Sequence, residues 1–303
     1  MNIPFIKLSK VWFAISIITV VLCVAALSTW GIKLGIDFTG GSLIELSFSK
    51  NRPETEQIQS VLESEGLKQY VVQKAGDNKY LIRTSFLSEE QHVSLVKKMQ
   101  SSFEKDENKV HEESFQTIGS AVSEQLRQRA VSSIIWVNVA IIIYVAYAFR
   151  KVSRPIASWK YGALAIVALV HDILLVLGVF AVLGRYFGIE VETDFVLALL
   201  TVLGFSVTDT IVVYDRVREN LIHHSADNFG ETVNIALNET LMRSINTTIT
   251  VLLPLFALYL LGGESIRNFA LALLIGMASG AYSSIFIASP LLAFVEKWQR
   301  RNA

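Results

Sequence analysis

Residues 195–214 read FVLALLTVLGFSVTDTIVVY. The stretch is apolar and long enough to cross a bilayer as a helix, which takes about 20 residues at a rise of about 1.5 Å each. One ionisable side chain, Asp209, lies inside it. Five further stretches have the same character: 11–30, 131–149, 161–183, 245–261 and 269–295. The last is longer than a span needs, so its ends should emerge or the helix should tilt. Composition points the same way. The 303 residues are 52% hydrophobic and 18% charged, with a mean hydropathy of +0.45, whereas a soluble chain carries about 25% charged residues. The expectation is an α-helical polytopic membrane protein with six transmembrane helices.

Several classes of function drop out. Lys plus Arg equals Asp plus Glu, 27 each, so no net basic field draws nucleic acid. Cys23 is the single cysteine and makes no internal disulfide. No Cys/His cluster has metal-ligand spacing, so neither metal nor cofactor is expected. P-loop spacing and a nucleophile–base constellation are also missing, and an enzyme is the class least supported. The first apolar stretch has a rival reading as a cleaved signal peptide, with Lys7 and Lys10 at its charged end. Its apolar run exceeds the usual length of about 7–15 residues, and it lacks a small-x-small cleavage site. Val20-Val21-Leu22 before Cys23 also lacks the small residue of a lipoprotein site. A retained helix is expected.

The chain divides into residues 1–30, the N-terminus with the first span; 31–129, a polar segment; and 130–303, the other five spans. In the polar segment, 41–49 alternates as a strand does, blurred by Leu43, Glu45 and Leu46. Pro53 opens a helical stretch, 54–65, closed by Gly66. Residues 70–74 and 80–85 read as strands around Gly76-Asp77-Asn78. Ser88 caps a second helix, with Glu89 and Glu90 in its first turn and Lys97 and Lys98 later. Residues 110–115 read as a last strand, and 119–129 as a helix running into the second span. Strand, helix, strand, strand, helix, strand is a ferredoxin-like α+β order, which by itself carries no function.

Lys and Arg in short loops set the orientation of spans. Lys7, Lys10, Arg150, Lys151, Arg154, Lys160, Arg216, Arg218, Arg243, Lys297, Arg300 and Arg301 collect on one side. The short loops opposite hold only Arg185 and Arg267. Both termini are therefore expected in the cytoplasm, and segment 31–129 outside it.

Charge within hydrocarbon costs about 2.5–3.5 kcal/mol on insertion scales, so polar groups inside the spans are functional candidates. His171-Asp172 sits mid-span. Adjacent helical residues point about 100° apart, and both should face the bundle interior. The pair suits proton handling, or equally a hydrogen-bonded knot that fixes packing. Asp209 lies about 8 Å inside Tyr214 by helical rise. Burial favours its neutral form and a nearby cation its charged form, and a group balanced between them can pass a proton on. The alternative is an ion pair, or a carboxylate satisfied by threonine, with no turnover. Arg243 opens the fifth span, either as an arginine reaching the interface or as Asp209's partner, with Asn246, Thr247 and Thr248 lining the same place. Asp215-Arg216, Arg218 and Glu219 read as a solvated helix end. Pro254 should kink the fifth span. Gly276 and Gly280 allow close helix approach, usually for packing alone. After the first span, Asp37, Gly40 and Gly41 form a junction: a turn-favouring carboxylate and two residues free to take positive φ.

At these residues a resemblance becomes specific. Gly35-Ile36-Asp37-Phe38-Thr39-Gly40-Gly41 and the run from Gly204 to Asn220 resemble signatures of the SecD/SecF family of protein-export membrane proteins. So do His171-Asp172, Arg243-Ser244-Ile245-Asn246-Thr247-Thr248, and Gly262-Gly263 with Ile266-Arg267-Asn268-Phe269. The likeness covers nearly the whole chain in order. Thr208 stands where asparagine is frequent and Phe205 where tyrosine is; neither change removes a carboxylate or a basic group. The resemblance implies a fold related to the resistance-nodulation-division transporters, in which two six-helix halves pack about a pseudo-two-fold axis. It implies SecD as the second half, the bacterial inner membrane as the location, and the Sec translocation channel and an exported unfolded polypeptide as partners. The proton gradient would drive export, with Asp209 and Arg243 at positions linked to proton conduction. Two competing functions are a non-conducting scaffold for the channel and half of a proton-driven small-molecule exporter.

Overall fold

A computed structural model of the chain describes residues 3–104, 108–149, 156–223 and 228–302. Arg150, Lys151 and Arg154, which contribute to the orientation argument, lie outside the described residues. The chain separates into two compact units, Leu34–Arg129 and Met1–Lys33 with Ala130–Ala303.

In chain order the first unit holds α2 (Ile36–Thr39), β1 (Gly41–Phe48), α3 (Thr55–Ser64), β2 (Tyr70–Ala75), β3 (Lys79–Thr84), α4 (Glu89–Phe103) and β4 (Val110–Ile118). The four strands form one antiparallel sheet in the order β2-β3-β1-β4. The blurred alternation of β1 resolves into Ser42, Ile44, Leu46 and Phe48 facing inward and Leu43, Glu45 and Ser47 outward. The pairing with β4 shifts register between Glu45 and Leu46. Ile44, Leu46 and Phe48 pack with Ile58 and Leu62 of α3 and Leu95 and Met99 of α4. Each such burial contributes about 1.5–3 kcal/mol. Both helices start with capping boxes, Glu54 with Gln57 and Ser88 with Gln91, which satisfy amide donors that a helix start leaves open. Gly40 and Gly41 turn the chain from α2 into β1 at φ of 72° and 119°. A Cβ on Gly41 would lie 2.5 Å from the Thr84 carbonyl oxygen, so both backbone and space demand glycine there.

The other unit is helical. Among the described residues, six helical runs are long and apolar enough to cross a membrane. They are α1 (Ser9–Trp30), α5 (Ser120–Ala148, whose start up to Arg129 belongs to the first unit), α6 (Ser158–Phe187), α7 (Thr193–Ile222), α8 (Phe229–Leu261), and a last run made of α9 (Glu264–Ser283), a π-helical turn (Ser284–Ala288) and α10 (Ser289–Asn302). α8 starts well before residue 245, where the apolar stretch begins. Residues 229–244 are amphipathic: Phe229, Thr232, Val233, Ala236, Leu237, Thr240 and Ser244 are buried at helical spacing. Asn228 caps the start by accepting from the Glu231 amide at 2.9 Å. Pro254 lies within α8. Gly276 and Gly280 set α9 against α7, since a Cβ on either would collide with Val202 or Ser206. A Cβ on Gly178 would likewise collide with the buried Cys23 of α1.

Candidate functional site

Two buried aspartates stand in the bundle among the described residues; the third buried carboxylate, Glu296, lies near the end of α10 beside Arg300. Asp172, midway along α6, is 0% exposed. Its Oδ1 accepts from Ser279 Oγ at 2.7 Å and lies 3.1 Å from His171 Nδ1, which donates in the tautomer that carries its proton there. Its Oδ2 accepts from Ser206 Oγ and Ser283 Oγ, each at 2.7 Å. Four contacts fill the acceptor capacity of a carboxylate, about four lone-pair directions. The three serines come from α7 and α9, so this one side chain ties three helices together. His171 is 5% exposed. Its Nε2 is buried with no hydrogen-bond partner among the described residues, and its ring centroid lies 6.0 Å from that of Tyr282.

Asp209, on α7, is 8% exposed. Its Oδ1 accepts from Ser244 Oγ of α8 at 2.7 Å. Its Oδ2 is buried and has no hydrogen-bond partner among the described residues. Leaving a buried polar atom unmatched costs about 1–3 kcal/mol, so this oxygen is a point of stored cost. Arg243, next to Ser244, is near enough for its charge to act on Asp209. No ion pair within 4.0 Å joins the two among the described residues. Arg243 lies in the middle of α8 rather than at its start, and it is exposed in the single chain. The expected polar lining divides by helical face. Ser244 and Thr248 are buried, and the Thr248 hydroxyl donates back to the Ser244 carbonyl at 2.7 Å. Asn246 and Thr247 are exposed.

The arrangement separates two chemistries. A proton can land on Asp209 Oδ2 without displacing the bond from Ser244. The neutral side chain then loses its attraction to Arg243, and the pull between α7 and α8 changes. On Asp172 a proton must displace a donor that is already in place. The junction residue Asp37 lies in the first turn of α2, with Gly40 and Gly41 just after it. Near the end of α7, Arg216 binds Glu219 at 2.6 Å and crosses to Glu239 of α8 at 2.7 Å. Arg218 binds Asp215 at 2.6 Å. All five of these groups are at least one third exposed, and pairs so exposed contribute little. Sequence reasoning missed Ser279 and Ser283 as donors to Asp172 and Ser244 as the donor to Asp209. The only available signal was serine in apolar helices, which reads first as small-residue packing.

Comparison with known proteins places the chain. The family profile "Protein export membrane protein SecD/SecF, C-terminal" matches residues 97–298, and the profile "SecD/SecF GG Motif" matches residues 25–51. The protein translocase subunit SecF of Thermobaculum terrenum is 39% identical over 99% of this chain and 95% of its own length. That of Anaerolinea thermophila is 37% identical over 96% of this chain and 93% of its own. Among solved structures, SecDF from Thermus thermophilus, described as a translocon-associated membrane protein, matches with a TM-score of 0.84 at 32% identity. That match covers 99% of this chain and 39% of the SecDF chain. The chain belongs to the SecD/SecF family of protein-export membrane proteins, in its SecF branch.

Proposed function

We propose that this chain is an accessory subunit of the Sec protein translocase which, with SecD, uses the proton gradient to promote export of polypeptides across the membrane. The observation that carries this reading is the half-held carboxylate of Asp209. One oxygen is fixed by Ser244, the other is buried and unmatched, and Arg243 acts on the pair from α8. One charge crossing about 100 mV releases about 2.3 kcal/mol, enough to bias a two-state element by up to about fiftyfold. Protonation of Asp209 relaxes its hold on α8, α7 shifts against α8, and the shift reaches residues 34–129 through the covalent connections at 35–41 and α5. A polypeptide held outside is thereby kept from sliding back.

The strand order and alternation of elements in 34–129 support a ferredoxin-like classification. The loop charges support an inner-membrane orientation with both termini cytoplasmic and 34–129 outside. A solved relative, SecDF, more than twice as long as this chain supports a second chain, SecD, completing the transporter-like pair. In this reading Asp172 and His171 form the fixed interior against which Asp209 moves. The saturated Asp172 cluster also favours a second reading, a scaffold that moves no protons. Gradient-driven export assistance by the chain and SecD, compared with Asp209→Asn, separates them. Loss of the gradient-dependent part with intact assembly supports the motor; unchanged export supports the scaffold.

A further inference from the structure

The last span is not a uniform α-helix. Between α9 and α10 it widens into the π-helical turn Ser284–Ala288. The sequence supplies a local cause. Pro290, in the first turn of α10, has no amide to return to the carbonyl of Phe286, and its ring crowds that carbonyl in a tight helix. A wider turn relieves both. Ser289 Oγ donates to the Ser284 carbonyl, five residues back, at 2.9 Å. Such turns concentrate at functional sites.

The turn is gripped from α7. The Thr210 and Ser284 hydroxyls meet at 2.8 Å, and the Tyr214 hydroxyl donates to the Ala288 carbonyl at 3.2 Å. Both bonds are buried. Thr210 follows Asp209 directly, and Tyr214 lies just over a helical turn further on. On the other side Ser283, immediately before the turn, donates to Asp172. The turn is thus held at one end to the fixed cluster and along its length to the helix that carries Asp209. Phenylalanine at 214 would keep the ring contacts with Phe149 and Tyr161, at 6.0 and 5.4 Å between centroids, and lose only the bond to the turn.

We propose that Thr210 and Tyr214 are positioning residues of the proton-driven step, acting through this π-turn. When α7 moves with the charge on Asp209, the two hydroxyls carry the turn with it and shift its register along the last span. A widened turn suits this, because it migrates by exchanging one backbone hydrogen bond at a time. The inference rests on the proton-driven reading of Asp209.

The test is proton flux through the full chain co-reconstituted with SecD in vesicles. Tyr214→Phe and Thr210→Val are each expected to lower flux about five- to tenfold, the weight of the one buried hydrogen bond each makes to the turn; Thr210→Val also loses the bond of its hydroxyl to the Ser206 carbonyl within α7. Their melting temperatures fall only slightly, as for one lost buried hydrogen bond, and SecD pairing stays as in the native chain. Thr210→Ser, which keeps a hydroxyl, restores flux. Native flux in both Tyr214→Phe and Thr210→Val, in preparations where Asp209→Asn abolishes it, overturns the positioning role and leaves the proton-driven reading standing. Native flux in Asp209→Asn overturns both. Should either α7 variant fail to assemble, Pro290→Ala removes the cause of the wide turn without touching α7. Reduced flux in it supports the proposal, and native flux overturns it.

Discussion

Asp172 and Asp209 are both aspartates buried within apolar helices of one bundle, yet their surroundings differ in kind. Asp172 is met by three serines and a histidine, so its acceptor positions are filled. Asp209 is met by one serine, and its second oxygen has no hydrogen-bond partner among the described residues. The lesson is that the cost of burying a carboxylate does not identify its role. What separates a packing knot from a switch is whether a proton can arrive without displacing a bond already made.

That contrast can be broken most forcefully at Asp172. Asp172→Ala strands three buried serine hydroxyls and His171, and should destabilise the chain by about 3–5 kcal/mol, the scale for removing one partner of a buried charged network. A detergent melting curve or the yield of folded chain reads this. Next, Ser279→Ala or Ser283→Ala removes one donor from the cluster and should cost about 1.5–3 kcal/mol, as for a hydrogen bond to a charged group. The double variant should depart from additivity, because both serines share one carboxylate. Ser244→Ala leaves Asp209 with no side-chain donor; a loss of about 1–2 kcal/mol is expected, together with altered proton flux that the Asp172 serine variants do not share. Smallest in stability is Asp209→Asn. Its amide oxygen still accepts from Ser244, so the melting curve should move by less than about 1 kcal/mol while gradient-driven export is lost. Equal stability losses for Asp172→Ala and Asp209→Asn would erase the distinction.

Much of the architecture was legible in the sequence because apolar runs and strand alternation are local signals. The six spans, the helix after Pro53, the Ser88-capped helix and the paired glycines at 40–41 are of this kind. The amphipathic first half of α8 was not, since its buried residues recur every third or fourth position instead of forming a run. Arg243 therefore read as the opening of a span, whereas it lies mid-helix. The site was legible only in part. Asp172, Asp209 and Arg243 stand out as charges in apolar surroundings. Ser279 and Ser283 lie 107 and 111 residues from the carboxylate they serve, and no local pattern joins them. The π-turn left a trace only in Pro290, whose effect depends on the hydroxyls of another helix.

The measurement that bears most directly on the role of Asp209 is proton flux through the chain reconstituted with SecD, native against Asp209→Asn. The native pair should conduct protons down an imposed gradient, and the Asp209→Asn pair, equally assembled, should not. Equal flux in the two would contradict a proton-carrying role for Asp209.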